Sequence, residues 1–121
     1  MAKIMIVDDS KMIRSALKLF LEAGEHEIIF EAKNGIEAVA AYKHYKPDLV
    51  TMDISMPDMN GVEAVKLIRA FDPAARIIML SSLSQKEFVI QAIKSGAKNY
   101  LIKPVTKEKI ISAVNDILAK E

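Results

Sequence analysis

Polar residues that could take part in phosphoryl or metal chemistry follow directly after short apolar runs of the sequence. Asp8 and Asp9 follow the first run, Asp53 the third, Ser81 the fourth and Lys103 the fifth. Three carboxylates crowded together repel one another, so at neutral pH such a cluster is either partly protonated or occupied by a cation. If these runs are neighbouring strands, the sequence predicts a cation site at their ends.

A hard divalent cation is the natural occupant of a site built from carboxylates. Mg²⁺ prefers oxygen ligands and keeps several waters, so one or two carboxylates and a carbonyl suffice to hold it. We expect Asp8, Asp9 and Asp53 to supply the carboxylates. Ser55, in the loop after Asp53, is the expected donor of a backbone carbonyl.

An aspartate beside a metal and a lysine can act as a nucleophile toward a phosphoryl group, which gives an aspartyl phosphate. Mg²⁺ and the Lys103 ammonium would neutralise charge on the transferring phosphoryl oxygens. Ser81 would donate its hydroxyl to a phosphoryl oxygen once the group is attached.

Each of these residues also has a simpler interpretation when it is taken alone. Asp9 or Ser10 could be a helix N-cap, and Asp53 could form a turn. Lys103 could be a solvated lysine, and Ser81 a loop hydroxyl bonded to backbone. Their joint occurrence at four strand ends favours the chemical interpretation.

The aromatic and imidazole side chains have structural interpretations at this stage. Tyr100, within the fifth run, is more often a core or half-buried aromatic than a switch. His26 and His44 have no carboxylate or nucleophile that lies both at helical spacing and at a strand end, so we expect both on the surface. The seven methionines are interpreted as core filler.

Strands and helices alternate along the chain. The predicted strands are Lys3 to Val7, Glu27 to Ala32, Asp48 to Met52, Arg76 to Leu80 and Asn99 to Ile102. Most are apolar on consecutive residues, as strands buried on both faces of a parallel sheet require. Five strand and helix units predict an α/β fold, doubly wound, with helices on both faces of a parallel sheet. Such sheets bind ligands at the carboxyl ends of their strands.

Helix boundaries are indicated by capping residues and by one apolar stripe. The stripe consists of Ile13, Ala16, Leu17, Phe20 and Leu21, and Gly24 follows it as a helix stop. Predicted N-terminal signals are Ser84 with Glu87, Asn60 with Glu63, Asn34, and Thr106.

Length and composition exclude several classes of protein. The chain has 121 residues, 51% of them hydrophobic, no cysteine and a net charge of +1. That length predicts one domain, 1–121. The absence of cysteine excludes disulfide frameworks and thiolate chemistry. A charge this small predicts no nucleic-acid or membrane partner, and with no signal peptide or membrane span the expected location is cytoplasmic.

Four segments of the sequence match the motifs of one family. They are Ile4 to Ser10, Asp48 to Gly61, Ile77 to Ser81 and Gly96 to Pro104. On these motifs, and over its whole length, the sequence resembles the receiver domains of two-component response regulators, especially the stand-alone chemotaxis type. The resemblance implies a single (βα)5 flavodoxin-like domain with a parallel sheet in the order 2-1-3-4-5.

The resemblance also implies roles for the residues at the strand ends. Asp53 would be the phosphoacceptor, and Asp8 and Asp9 would hold Mg²⁺ directly or through water. The Asp53 carboxylate and the Ser55 carbonyl would complete the protein ligands. Ser81 and Lys103 would contact the phosphoryl group.

Further implied features concern the switch and the loops. Tyr100 would be the rotating aromatic that reports phosphorylation. The Lys103–Pro104 peptide would be cis, as is common in the family. Pro57 and Gly61 would shape the loop after the acceptor.

The implied mechanism is a phosphoryl relay between proteins. A histidine kinase or histidine phosphotransfer protein presents phosphohistidine, and Asp53 attacks in line. Ser81 then moves inward and Tyr100 turns into the vacated space, which remodels the face of the fourth helix, fifth strand and fifth helix. A monomer that binds an unknown effector protein is expected, catalysing only its own phosphorylation and dephosphorylation. Chemotaxis and motor control are favoured, with a phosphorelay or a separate effector as alternatives.

The sequence departs from the family pattern beside the acceptor. Ser82 stands where Ala or Gly is usual in the family. The family also varies at Ser55, Met56 and Leu83, whose side chains, by the resemblance, would border the path of attacking water. The lifetime of the phosphoryl group is therefore left open. Because the chain ends at Glu121, right after the fifth helix, we expect no DNA-binding or enzymatic effector within it.

Three other function classes share parts of this residue pattern or of this fold. A haloacid-dehalogenase type hydrolase expects a second acid two residues after the nucleophile, where this chain has Ser55. A flavin carrier needs a phosphate-binding loop after the first strand, where Asp8 and Asp9 would repel phosphate. A receiver-like domain that binds partners without phosphorylation stays open.

Overall fold

The computed structural model describes residues 1–82 and 86–120, in which strands and helices alternate strictly. The elements are β1 (Lys3–Val7), α1 (Lys11–Ala23), β2 (Glu27–Ala32), α2 (Gly35–Tyr45), β3 (Leu49–Asp53), α3 (Gly61–Phe71), β4 (Ile77–Ser81), α4 (Lys86–Lys94), β5 (Asn99–Ile102) and α5 (Lys107–Ala119).

The five strands form one parallel sheet in the order β2-β1-β3-β4-β5. The predicted order 2-1-3-4-5 is therefore confirmed. Every residue of β3 and of β4 is buried, as their continuous apolar runs predict for central strands covered on both faces. Chain order reverses between β1 and β3, which places a crevice at the carboxyl ends of these two strands.

Helices cover both faces of the sheet and divide the core into two halves. Buried side chains of α2, α3 and α4 pack on one face, with Met5, Val50 and Met79 of the sheet. Buried side chains of α1 and α5 pack on the other, with Ile6 and Ile78. The doubly wound architecture is therefore confirmed. Within the described residues, no helix is long and apolar enough to cross a membrane.

Most of the predicted helix starts are confirmed by capping bonds. The side chains of Asn34, Asn60 and Thr106 each accept a hydrogen bond from the backbone N–H three residues later. Ser10, not Asp9, caps α1. Ser84, half of the predicted capping pair with Glu87, lies outside the described residues.

Two strand boundaries differ from the prediction by one residue. The third and fourth strands begin at Leu49 and Ile77, one residue late, and they extend to include Asp53 and Ser81. The reason is the backbone ladder, since Asp53 pairs with Leu80 across the sheet. The two candidate site residues are therefore held within strands, not in the loops that follow them.

The expectation that His26 lies on the surface was wrong. His26 is only 7% exposed, and its Nδ1 accepts a hydrogen bond from the Ala2 N–H at 3.1 Å. Because that backbone group can only donate, the proton of a neutral ring sits on Nε2, which donates to Asn115 Oδ1 at 3.1 Å. His44 is exposed, as expected. The imidazole of His26 therefore ties the start of β1 to α5, a contact between distant segments that sequence spacing cannot reveal.

Replacing His26 should destabilise the protein, because the buried Ala2 N–H would lose its acceptor. We expect His26→Leu to lower the free energy of unfolding by about 1–3 kcal/mol, measured by urea denaturation. His44→Leu, which removes the same ring from an exposed site, should change it by less than about 0.5 kcal/mol. Equal effects of the two substitutions would contradict a structural role for His26.

The interpretation of the methionines as core filler holds for only some of them. Met5, Met52 and Met79 are fully buried in the sheet, whereas Met1 is 91% and Met12 80% exposed. A methionine in an amphipathic helix or at a terminus is not obliged to face the core.

A buried tyrosine ties α2 to the end of α3. Tyr42 is 2% exposed, and its hydroxyl donates to Asp72 Oδ2 at 2.7 Å. This hydrogen bond lowers the pKa of the Asp72 carboxyl below its usual value. Burial, followed by the contact with Asp72, raises the pKa of the Tyr42 hydroxyl well above its usual range.

The Tyr42 contact should make stability depend on pH. A carboxyl with a lowered folded pKa contributes stability above its unfolded pKa, about 3.9, and loses it as pH falls through the folded pKa. Tyr42→Phe should therefore cost about 1 kcal/mol at pH 7 and less below about pH 4. Urea denaturation at several pH values tests this, with Tyr45→Phe, on an exposed ring of the same helix, as the control. A cost that did not shrink in acid would contradict the assignment.

Candidate functional site

Three side chains from three strand ends meet at the carboxyl edge of the sheet. The Lys103 ammonium donates to Asp8 Oδ2 at 2.9 Å and to Asp53 Oδ1 at 3.0 Å. Asp9 joins them, since Asp8, Asp9 and Asp53 can each present a carboxylate oxygen within 4.8 Å of the others. The predicted neighbourhood of these four residues is therefore present in the structure.

The backbone ladder of the sheet continues past the strands to position these residues. The Asp8 N–H donates to the Ala32 carbonyl at 3.0 Å, and the Lys103 N–H donates to the Ser81 carbonyl at 2.7 Å. The Lys103–Pro104 peptide is cis, as the resemblance implied. The backbone N–H groups of Asp8 and Lys103 thus make the same kind of hydrogen bond as those of the strand residues before them.

The loop after β3 folds back against the acceptor strand. The Gly61 N–H donates to the Ile54 carbonyl at 2.8 Å, and a Cβ at Gly61 would collide with the Asp53 carbonyl oxygen. A side chain at this position would push the start of α3 away from Asp53. The implied role of Gly61 in shaping the loop agrees with this contact.

The two adjacent aspartates have different environments. Asp8 is fully buried, and its Oδ1 accepts a hydrogen bond from the Ser10 N–H at 2.9 Å. Asp9 is exposed. One carboxylate is thus fixed by the protein on both oxygens, and the other faces solvent at the entrance of the site.

Burial and like charge act together on Asp53. Burial raises the pKa of the Asp53 carboxyl above its usual value, and the Asp8 carboxylate acts in the same direction. The hydrogen bond from Lys103 opposes both without cancelling them. Burial alone would lower the pKa of the Lys103 ammonium, but its hydrogen bonds to Asp8 and Asp53 raise it above its usual value. Lys103 is therefore a firmly protonated cation at neutral pH.

The donor set fits a hard divalent cation. The clustered ligands are carboxylate oxygens, which Mg²⁺ prefers, and three carboxylates face one ammonium. The excess negative charge favours a further cation. Ser55 lies exposed in the loop two residues beyond Asp53, and the role of its carbonyl as a ligand stays a prediction.

Ser81 presents a buried hydroxyl that lacks a partner among the described residues. It is fully buried at the end of β4, and its Oγ makes no hydrogen bond there. A buried hydroxyl without a partner costs free energy, so it is rarely kept without a reason. The hydroxyl is available to a group that arrives at the strand ends.

Tyr100 lies on the same face of the sheet as Ser81. It pairs with Met79 across β4 and β5, and Ser81 is two residues beyond Met79, so all three side chains share one face. Tyr100 is 45% exposed. Tyr100 is therefore half-buried beside α4, in agreement with its structural interpretation, and its role as a switch stays a prediction.

Two features of the site were missed in the sequence. Arg14 on α1 donates to the Asp8 carbonyl and to Glu31 on β2, but nothing in a lone arginine of an amphipathic helix signals such contacts. The Thr51 hydroxyl is also buried without a partner among the described residues, on the opposite face of β3 from its apolar neighbour Met52. Its place in an apolar run concealed it.

The fold and the strand-end cluster define a class of protein. Residues 4–115 match the response regulator receiver domain family, and the chain belongs to that family. It is 45% identical to the chemotaxis protein CheY of Thermotoga maritima over 95% of this chain and 96% of that protein. It is 48% identical to CheY of Halobacterium salinarum over 98% of both chains.

Solved structures agree with the sequence relatives. The crystal structure of the CheX–CheY–BeF3–Mg²⁺ complex of Borrelia burgdorferi matches with a TM-score of 0.90 at 36% identity, over 96% of this chain and 88% of that one. The chain is thus a receiver domain that closely matches the CheY chemotaxis regulators, and phosphorylation on aspartate is typical of this family.

The Thr51 and Ser81 hydroxyls, which are buried without a hydrogen-bond partner among the described residues, lead to a prediction about stability. Removing a buried hydroxyl that has no partner should stabilise the protein, by about 1 kcal/mol for Thr51→Val, which keeps the shape of the side chain. Ser81→Ala should be neutral or stabilising by up to about 1 kcal/mol. Urea denaturation of the unphosphorylated protein measures both. A clear loss of stability in Ser81→Ala would show that its hydroxyl has a partner in the free protein.

Proposed function

We propose that Asp53 accepts a phosphoryl group from phosphohistidine on a histidine kinase or histidine phosphotransfer protein, and that the protein signals through the resulting change of surface. The observation that carries the proposal is the Lys103 ammonium shared between the Asp8 and Asp53 carboxylates at the strand ends. Receiver domains are signalling proteins, and we assign this chain no reaction other than its own phosphorylation and dephosphorylation.

The transfer step is a displacement at phosphorus. An Asp53 carboxylate oxygen forms the new bond to phosphorus as the bond from phosphorus to the histidine nitrogen breaks. The electron pair of that bond stays on the imidazole. The Lys103 ammonium already donates to Asp53 Oδ1 at 3.0 Å. Its positive charge would therefore lie close to the negatively charged oxygens of a phosphoryl group that is being transferred to Asp53.

Asp8, Asp9, Asp53 and the Ser55 carbonyl would hold the Mg²⁺ ion. Bound there, Mg²⁺ would supply electrostatic neutralisation of the phosphoryl oxygens. Asp8, fixed by Ser10 and Lys103, would act as the rigid ligand, and the exposed Asp9 would bind directly or through water. The presence of BeF3 and Mg²⁺ in the Borrelia complex supports this assignment.

Ser81 and Tyr100 would carry the signal away from Asp53. The Ser81 hydroxyl, which has no partner in the described part of the chain, would turn to donate to a phosphoryl oxygen, which opens space on the α4 face of the sheet. Tyr100, exposed in this structure, would turn into that space. The added phosphoryl charge, about −1.5 to −2, would bias an existing equilibrium between two arrangements.

The surface that would read this change is an apolar groove between α4 and β5. The groove has a volume of about 470 Å³ and is lined mainly by Val89, Ile90, Ile93, Tyr100 and Ile102, with Lys86 and Lys94 beside them. This composition suits a protein partner with an apolar stripe and acidic residues. The CheX in the Borrelia complex supports a protein partner.

The pathway we favour is chemotaxis with motor control, since the relatives of highest similarity named above are chemotaxis regulators. A phosphorelay intermediate and a regulator of a separate effector are the alternatives. We place the protein in the cytoplasm as a monomer, where phosphohistidine donors and Mg²⁺ are available to it, and assign it no nucleic-acid or membrane partner.

Phosphorylation of Asp53 can be tested with a small phosphoryl donor. After incubation with acetyl phosphate and Mg²⁺, intact-mass spectrometry should show a gain of one phosphoryl group that hydroxylamine removes. Asp53→Asn and a magnesium-free sample should show no gain. Asp58→Asn is the matched control, because Asp58 has φ +70° and asparagine tolerates that backbone conformation. It should be labelled like the parent protein.

Labelling of Asp53→Asn, or labelling without Mg²⁺, would contradict the assignment of the acceptor or of the metal. Failure of every sample to be labelled at any magnesium concentration would favour a phosphorylation-independent binding module. Ser81→Ala should be phosphorylated more slowly or should keep its phosphoryl group for a shorter time than the parent protein. Thr51→Val, which removes the other buried hydroxyl, should change neither property.

A further inference from the structure

Arg14 makes two contacts beside the site that the proposed transfer does not use. Its Nη1 donates to the backbone carbonyl of Asp8 at 2.7 Å, and its Nε donates to Glu31 Oε1 at 3.2 Å. The Arg14 side chain is 15% exposed and that of Glu31 34%. One planar guanidinium therefore joins α1, the end of β1 and the edge strand β2.

The carbonyl that Arg14 holds belongs to the peptide between Asp8 and Asp9. On the other side of residue 8, the N–H donates to the Ala32 carbonyl at 3.0 Å. The backbone leaving β1 is therefore held to β2 twice, once directly and once through Arg14 and Glu31. Together these bonds fix the plane of the peptide from which the exposed Asp9 side chain extends.

Glu31 offsets the charge of Arg14. A lone guanidinium near three carboxylates would compete with a divalent cation for their negative charge. Paired with Glu31, the group is close to neutral at longer range, and it keeps its directed hydrogen bond to the Asp8 carbonyl. The Arg14–Glu31 ion pair is thus suited to orient the Asp8 backbone carbonyl, and it would not take the place of a divalent cation at the carboxylates.

We propose that Arg14, held by Glu31, is a positioning residue for the divalent cation. It keeps the Asp8–Asp9 peptide in the orientation that lets both carboxylates reach one ion. This inference rests on the proposed function of Asp8, Asp9 and Asp53 as metal ligands. Arg14 itself touches neither the metal nor the phosphoryl group.

Two physical effects predict opposite results when Arg14 is removed. By charge alone, loss of a cation near a cation site should strengthen Mg²⁺ binding. By positioning, loss of a group that orients the ligands should weaken it, by about tenfold or more. The sign of the change in the Mg²⁺ dissociation constant therefore separates the two.

The test is isothermal titration calorimetry of the metal-free protein with MgCl2, at fixed pH and ionic strength. We expect Arg14→Gln to raise the dissociation constant about tenfold. Lys18→Gln is the matched control, since it removes the same charge from an exposed position one turn further along α1. It should leave the constant unchanged or slightly lower.

Arg14→Lys keeps the charge but cannot reproduce the fork that reaches both partners. We expect Arg14→Lys to lose part of the affinity for Mg²⁺. Thermal unfolding in EDTA shows whether Arg14→Gln folds, and if it does not, the Mg²⁺ dissociation constant of Arg14→Lys becomes the test of the inference. Glu31→Gln should also weaken binding. Combined with Arg14→Gln it should add no further loss, because Glu31 acts through Arg14.

A second readout separates positioning from a general structural effect. In Arg14→Gln, the Mg²⁺ concentration for half-maximal labelling by acetyl phosphate should rise, and the rate at saturating Mg²⁺ should stay near that of the parent.

The inference is overturned if Arg14→Gln binds Mg²⁺ as tightly as the parent protein or more tightly. If Arg14→Gln does not fold, unchanged Mg²⁺ binding by Arg14→Lys overturns it. Both results leave the proposed function intact. If the parent protein does not bind Mg²⁺, or if Asp8→Asn binds it as well as the parent does, the metal site and the inference are both overturned.

Discussion

One ammonium shared between two buried carboxylates is the interaction on which the site depends. Asp8 and Asp53 are 0% and 4% exposed, and Lys103 bonds to both. Burial and the Asp8 carboxylate both raise the pKa of the Asp53 carboxyl, and the Lys103 ammonium opposes them. Lys103 reaches the two carboxylates because β5 ends at the same sheet edge as β1 and β3. The site needs the parallel topology before it can form.

The alternation of side chains along the strands separates the acid cluster from the surface that would report on it. Side chains two or four residues before Asp8 and Asp53, such as Ile6 and Leu49, lie on the same face of the sheet as these aspartates. They belong to the half of the core that α1 and α5 cover. Ser81 and Tyr100 share the face of Met79, under α3 and α4. A phosphoryl group on Asp53 would lie at the edge where both faces meet. This is a physical reason for a chemical event on one face to be read on the other.

The same geometry explains which side chains are left exposed or unpaired. The Ser81 hydroxyl is buried without a partner among the described residues, and Tyr100 is 45% exposed beside an apolar groove. Both features cost stability in the free protein. In the proposed function, a phosphoryl oxygen would accept a hydrogen bond from Ser81 and a protein surface would cover the groove.

Local sequence signals were sufficient for the elements, and less so for their exact ends. Asn34, Asn60 and Thr106 cap the helices that they were expected to cap, because capping is a contact between residues three apart. Continuous apolar runs marked the central strands for the same local reason. The ends of β3 and β4 were misplaced by one residue, because cross-strand pairing, not local propensity, extends them to Asp53 and Ser81.

The sequence by itself determined the alternating strand and helix order, the parallel sheet with both faces covered, and the identity of the acid and lysine residues that follow the strands. These depend on periodicity and on spacing along the chain. Only the tertiary structure decided that His26 is buried against Asn115, how much of Tyr100 is exposed, and that Arg14 holds the Asp8 carbonyl. Each of those contacts or exposures depends on how distant segments pack, and a one-dimensional pattern carries no record of which side chain meets which backbone atom.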